Sequence, residues 1–197
     1  MYLQVSDLQK VVPGLPRGAI SEVLGDASSG RTALLHAFLA AATTGGEVSA
    51  VVDFANSFDP ASAGRAGVDL NKLLWVQCNR RMDHAMKAAD LILHGGGFGL
   101  VVLDLCEAPP ETLQRVPLSY WHRFRLSVKD TPTTLVVAGN QPNARSCAMQ
   151  QIELEPVRAD WPGRAPFQLL GGLRLKLSSR KPVLTEPAEL RAAAVGE

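Results

Sequence analysis

The chain has 197 residues, a hydrophobic fraction of 46% and a formal net charge of +1. This length favours one domain with a full core, and the near-neutral charge provides no general attraction to nucleic acid or to a membrane surface. No apolar run approaches the roughly 18 residues of a membrane span, and the first residues lack a signal-peptide pattern, so a cytoplasmic protein is expected. Three widely spaced cysteines and four scattered histidines predict reduced thiols and no zinc site.

Short apolar runs alternate with amphipathic stretches, which is the pattern of a parallel sheet covered by helices on both faces. The predicted strands are 19–24, 48–54, 73–77, 100–105 and 134–138, and the predicted helices are 32–42, 60–66, 81–94 and 110–129. Alternating polar and apolar residues at 151–155 and 173–177 predict an antiparallel pair with one solvent-facing side. We therefore expect one domain over residues 1–186 and a frayed or loosely helical tail at 187–197.

The stretch from Gly25 to Thr32 reads G-D-A-S-S-G-R-T, which is the spacing of a phosphate-binding P-loop with Arg31 in place of lysine. Its glycines let backbone N–H groups turn towards an anion, and the helix predicted after it directs a positive dipole there. A guanidinium is a wide planar fork that cannot occupy the space of a lysine ammonium between phosphates. The loop predicts a nucleotide site inherited from a P-loop ancestor, but it does not decide whether the protein hydrolyses ATP. The alternative interpretation is a turn rich in glycine and serine without a ligand.

Five elements, in this order and spacing, resemble the RecA/Rad51 recombinase superfamily, and bacterial RecA in particular. Residues 14–25, G-L-P-R-G-A-I-S-E-V-L-G, are similar to the segment that leads into the RecA P-loop. Residues 58–60 and 66–74 follow the RecA pattern in residue identity and in spacing. Residues 101–104, V-V-L-D, resemble the Walker B strand, and residues 140–141, Asn-Gln, resemble the pair whose glutamine senses the γ-phosphate.

The resemblance, which covers about residues 12–180, implies an α/β fold. This would be a RecA-like P-loop NTPase core, with a mostly parallel sheet flanked by helices and a C-terminal antiparallel β-hairpin. It also implies ATP or ADP with Mg²⁺ as ligands. The implied nucleotide-binding residues are Gly25, Ser28, Ser29, Gly30, Arg31, Thr32, Asp59, Asp104 and Gln141, of which Thr32 and Asp104 would hold Mg²⁺.

The chain departs from the family pattern at several positions besides the arginine of the loop. Ala55 stands two residues after Asp53, where the family has the glutamate that activates the attacking water, so the general base has no occupant there. Asp53 itself is either a second inward carboxylate or a polar residue at a strand end. Ser62 replaces the aromatic residue that stacks on adenine. The segments of the two DNA-binding loops, 106–112 and the stretch after 141, are short. From the few residues before the core we expect little of the arm that joins RecA protomers.

These losses resemble the short, degenerate RecA-like proteins of the ImuA and SulA kinds. The resemblance implies a non-hydrolysing binding or regulatory protein of the DNA-damage (SOS) response, in recombination or translesion mutagenesis. It also implies that nucleotide and Mg²⁺ binding are weak or lost, and that a RecA filament or a damage-tolerant polymerase is the protein partner. We expect weak or no DNA binding and a monomer or small oligomer. A DNA-dependent ATPase and a protein-binding module like a cell-division inhibitor are the alternatives.

The helix predicted over 110–129 carries basic residues between 115 and 129 together with aromatic side chains. Such a face can bind single-stranded DNA through phosphate contacts and base stacking. The alternative, which we favour, is that Trp121, Phe124 and Val128 form a buried stripe at helical spacing, with the basic side chains solvated on the opposite face.

Overall fold

A computed structural model describes residues 2–5, 14–161, 172–181 and 188–195. The strands over these residues are β1 Tyr2–Val5, β2 Ala19–Gly25, β3 Ser49–Asp53, β4 Leu73–Gln77, β5 Leu100–Asp104, β6 Thr134–Gly139, β7 Ala148–Asp160, β8 Gly172–Lys181 and β9 Ala188–Val195. They form one sheet in the order β1-β9-β8-β7-β2-β6-β5-β3-β4. The neighbours from β7 across to β4 are all parallel, and the strands beyond β7 are antiparallel. The predicted fold class, a mostly parallel RecA-like α/β sheet ending in an antiparallel hairpin, is confirmed.

The helices are α1 Arg31–Thr44, α2 Pro60–Arg65, α3 Met82–Gly95, α4 Pro110–Gln114 and α5 Leu118–Val128, with 3₁₀ turns at Leu70–Lys72 and Arg145–Cys147. The single helix predicted over 110–129 is in fact two helices, because Pro117 lies inside it and precedes α5 as its N-cap. Proline has no N–H to donate, and it excludes the residue before it from helical geometry. No helix within the described ranges combines the length and the apolar character needed to cross a membrane.

The C-terminal residues were expected to be frayed or loosely helical, and this expectation is wrong in secondary structure. Residues 188–195 form β9, which pairs antiparallel with both β8 and β1. The edge of β8 offers a row of N–H and C=O groups that a following segment can pair with, and an alanine-rich composition does not reveal this. The extent of the single domain, 1–186, stays a prediction.

The hydrophobic core lies on both faces of the sheet, as continuous apolar strands predict. Val101 and Leu103 of β5 face the cluster formed with α3 and α5, whereas Leu100 and Val102 face the cluster formed with α1 and β8. The parallel strands point their carboxyl ends to one edge, where the loop from Gly25 to Thr32 joins β2 to α1. Ligand sites of open α/β sheets lie at this edge.

A fully buried carboxylate holds the segment after β6 against the centre of the sheet. Oε1 of Glu22 accepts the backbone N–H groups of Asn143 at 2.6 Å and Ala144 at 2.7 Å. Oε2 accepts the amide of Gln151 on β7 at 2.6 Å. Three donors therefore satisfy the charge of Glu22, which burial alone would make unfavourable.

Candidate functional site

We call residues 25–32 the glycine loop. Gly30 is the N-cap of α1 at a left-handed φ of +85°, and no side chain caps the helix there. The first N–H groups of α1 therefore have no side-chain partner and point out of the helix end. A Cβ added to Gly30 would lie 2.5 Å from Cδ1 of Leu175 on β8. The backbone angle and the close approach of β8 together require glycine at this position.

We expect Gly30→Ala to lower the free energy of unfolding by about 2–5 kcal/mol, because left-handed strain adds to overpacking against Leu175. Urea denaturation measures the loss. Gly46 is the matched control, since its φ is +92° and nothing lies within 4 Å of its added Cβ. Gly46→Ala should cost only the strain, about 1–2 kcal/mol. Equal losses in the two variants would contradict the contact between Gly30 and Leu175.

Ser29 is buried inside the glycine loop, and its Oγ has no hydrogen-bond partner within the described residues. Its backbone N–H donates to the carbonyl of Asp26 at 3.1 Å, and Ser28 before it adopts a φ of +63°. Buried hydroxyl groups are nearly always hydrogen-bonded. An unpaired hydroxyl beside the uncapped end of α1 is what an anion would satisfy.

The side chain of Arg31 extends over the carboxyl ends of β5 and β6. Its Nη1 donates to Oδ1 of Asn140, which directly follows β6. Its positive charge also acts on Asp104 at the end of β5, where it favours the ionised carboxylate. The arginine thus has a specific hydrogen-bond partner within the site.

Asp104 and Asp53 lie opposite each other at the ends of β5 and β3. Burial raises the pKa of Asp104, and the charge of Asp53 acts in the same direction; the N–H of Cys106, 3.0 Å from Oδ1, and the guanidinium of Arg31 act against it. Asp53 accepts the backbone N–H of Phe58 at 2.8 Å, the indole N–H of Trp75 at 3.2 Å and a further backbone N–H at 3.2 Å. Asp53 was interpreted either as a second inward carboxylate or as a polar residue at a strand end. These bonds favour the second interpretation, because they join Asp53 to the loop that follows β3.

Three further residues were predicted to contact the nucleotide or its metal ion: Thr32, Asp59 and Gln141. Thr32 lies exposed in the first turn of α1. Asp59 is the N-cap of α2 and accepts the backbone N–H of Ser62 at 3.1 Å as well as the hydroxyl of that residue. That hydroxyl is the main cause that lowers the pKa of Asp59. Gln141 lines a small pocket with residues of α4 and α5, including Trp121. The structure thus brings the glycine loop and Asp104 to one edge of the sheet, and the nucleotide roles of all the predicted site residues stay predictions.

The residues around Asp104 do not fit a magnesium ion. Mg²⁺ requires near-octahedral oxygen ligands, usually one or two carboxylates with water and phosphate oxygens. Here an oxygen of Asp104 accepts the N–H of Cys106, and the guanidinium of Arg31 acts on the same carboxylate. A divalent cation would be repelled by that fixed positive charge in a partly buried setting.

His36 on α1 is buried, and its ring contacts that of Phe58 edge-on at a centroid distance of 5.8 Å. Burial lowers the pKa of His36, and the charge of Asp59 opposes this. Below about pH 6.5 the unfolded chain therefore binds a proton that the folded chain resists, so stability falls as the pH falls. We expect His36→Gln to lose less stability than the wild type between pH 7 and pH 5 in urea titrations. Parallel losses in both proteins would contradict this.

The basic helix α5 is anchored by its aromatic face. Trp121, Phe124 and Val128 are buried, which confirms the predicted stripe. Arg123 on the opposite side forms an ion pair with Asp90 of α3 at 2.7 Å and lies 4.8 Å above the ring of Tyr120. The indole of Trp121 is therefore not available as a platform for stacked bases.

Comparison with known proteins shows where the chain belongs. The family of the RecA N-terminal domain matches residues 4–112, which is more than half of the chain. The chain belongs to the RecA family. Among relatives named Protein RecA, that of Methylococcus capsulatus is 41% identical over 91 residues, which is 46% of this chain and 26% of the relative. The RecA of Chlorobaculum tepidum is 39% identical over 94 residues, which is 47% of this chain and 27% of the relative. The RecA of Streptomyces ambofaciens is 39% identical over 99 residues, which is 50% of this chain and 26% of the relative.

The chain thus matches RecA relatives over about a quarter of their length. The matched region includes the glycine loop, Ala55, Ser62 and Asp104, so the departures at Arg31, Ala55 and Ser62 fall inside the RecA-like part. Asn140, the partner of Arg31, lies beyond the matched residues.

Proposed function

We propose that this RecA-family chain is a cytoplasmic binding or regulatory protein of the DNA-damage response that does not hydrolyse ATP. The observation that carries the proposal is the hydrogen bond from Arg31 to Asn140. In the resemblance to the P-loop, position 31 is that of the lysine that contacts the phosphates. Here the cation is a guanidinium that donates to the segment after β6. Its wide planar fork cannot take the place of a compact ammonium between phosphates.

Within the described part of the chain, the position of the family's general base has no carboxylate, and Asp53 and Glu107 have other partners. Ala55 has only a methyl group at the position of the general base. Asp53 already accepts three N–H groups. Glu107, the other nearby candidate, is mostly exposed and lies 3.7 Å from Arg80 in an ion pair. The loss of base, lysine and adenine platform at one site argues against turnover more strongly than any single loss.

Steady-state ATP hydrolysis tests the proposal. We expect turnover far below the order of 1 per second that is typical of slow enzymes, with or without single-stranded DNA. The double variant Arg31→Lys with Ala55→Glu restores the two family residues and serves as the comparison. Turnover of the wild type at enzyme rates, stimulated by DNA, would support the alternative of a DNA-dependent ATPase.

A role carried by protein contacts is supported by exposed apolar side chains on and next to β7. Val157 and Trp161 are each more than half exposed. Exposed tryptophan is enriched where proteins bind partners. We therefore propose a protein partner, a RecA filament or a damage-tolerant polymerase, and a monomer or small oligomer that binds DNA weakly.

Sedimentation with RecA filaments on single-stranded DNA tests the partner. We expect the chain to pellet with the filaments and to stay in the supernatant with DNA alone at 200 mM salt, because weak phosphate contacts are salt-sensitive. Trp161→Ala is expected to weaken the cosedimentation. Filaments formed by this chain itself, or DNA binding that survives this salt, would contradict the proposal.

A further inference from the structure

The glycine loop combines two features that point to a bound anion. The N-terminal end of the long helix α1 has no side-chain cap. Beside it, Oγ of Ser29 is buried and lacks a partner within the described residues. Helix N-termini bind phosphate through their free N–H groups and their positive dipole. A phosphate oxygen would satisfy the hydroxyl of Ser29 and the helix end together.

The site also contains a fixed positive charge of its own. Arg31 is the first residue of α1, its guanidinium is bonded to Asn140, and its charge acts on Asp104. The guanidinium thus lies at the edge of the sheet where β5 ends at Asp104, the carboxylate on which the family resemblance places a magnesium ion. A second cation beside this guanidinium would be repelled by it.

We propose that the glycine loop binds a phosphate group without a divalent cation, and that Arg31 supplies the charge that Mg²⁺ would otherwise supply. This proposal rests on the proposed function and concerns the same site. It departs from the Mg²⁺–nucleotide complex that the family resemblance implies. The chemistry recognised is the phosphate group itself, whether it comes from free pyrophosphate or from a nucleoside diphosphate.

Recognition of the adenine base contributes little in this proposal. Ser62 stands at the position of the stacking residue, and both its N–H and its hydroxyl bond to Asp59 within the cap of α2. A serine offers no aromatic face to a base. Pyrophosphate and ADP are therefore expected to bind with dissociation constants within about threefold of each other.

Isothermal titration with pyrophosphate and with ADP, each in EDTA and in Mg²⁺, tests the proposal. We expect both to bind in EDTA, and Mg²⁺ to leave the affinity unchanged or to lower it. Similar affinities would identify the phosphate group itself as a sufficient ligand. ADP at least tenfold tighter than pyrophosphate would identify a nucleotide as the source and would contradict the expectation that adenine contributes little. Binding at least tenfold tighter in Mg²⁺, or no binding of either probe at millimolar concentration, would overturn the proposal.

Single substitutions show which side chains contribute to pyrophosphate binding. Arg31→Ala should weaken pyrophosphate binding at least tenfold and Ser29→Ala several-fold, whereas Arg125→Ala, an exposed arginine of α5, removes the same charge and should change nothing. Thermal melting of each variant checks that it folds. Equal affinity of the Arg31 and Arg125 variants would refute the role of Arg31. Hydrolysis of ATP would end the proposed function, while a requirement for Mg²⁺ without hydrolysis would end only this inference.

Discussion

Glu22→Leu is expected to lower the free energy of unfolding by about 3–5 kcal/mol, one of the largest losses of any single substitution in this chain. Leucine removes the acceptor of two buried backbone N–H groups, those of Asn143 and Ala144, and of the side-chain amide of Gln151. Each buried donor left without a partner costs about 1–3 kcal/mol. Urea denaturation followed by tryptophan fluorescence measures the change.

Glu22→Gln is the matched control for the leucine variant. Its amide oxygen keeps an acceptor for the backbone donors, so we expect a smaller loss of about 1–2 kcal/mol. If Glu22→Leu stays within 1 kcal/mol of the wild type, Glu22 does not fix the segment after β6. Because that segment begins with Asn140, the leucine variant is also expected to disturb the bond to Arg31.

Phe124→Ala is expected to cost about 3–5 kcal/mol, because it removes a fully buried ring from the core between α5 and the sheet. The ring contacts those of Tyr120 and Trp121 edge-on, at centroid distances of 6.1 Å and 5.9 Å. Leu126→Ala on the same helix is the control, since Leu126 is 65% exposed and its loss should change stability by no more than about 0.5 kcal/mol.

The two variants of α5 also separate the interpretations of that helix. A core role predicts a large loss of stability for Phe124→Ala, seen as a shift of the urea midpoint. Small and equal losses for Phe124→Ala and Leu126→Ala would show that the aromatic face is not core, and would reopen the possibility that the helix binds single-stranded DNA.

Local patterns were sufficient to predict most of the fold. Strands buried on both faces appear as continuous apolar runs, so β2 was predicted at 19–24 and is found at Ala19–Gly25. The hairpin was predicted from alternation, and Glu155 indeed pairs with Lys176 across β7 and β8. Pro117 is the local signal that divides the helix predicted over 110–129 into two.

The parts that could not be predicted depend on contacts between distant residues. The bond from Arg31 to Asn140 joins residues 109 positions apart and exists because β2 lies beside β6. The charge of Glu22 inside an apolar strand indicates a buried partner, but the sequence does not identify that partner. Its donors become apparent only when β2 is placed between β6 and β7.

A single-turnover experiment tests the central claim most directly. The protein is mixed in excess with ATP labelled at the γ-phosphate, with Mg²⁺ and single-stranded DNA present, and both bound label and released phosphate are followed. Excess protein removes product release as a limit, so the chemical step itself is observed. The account predicts that label binds and no phosphate is released within an hour. Release of phosphate within seconds would contradict it and would show that Arg31 supports hydrolysis.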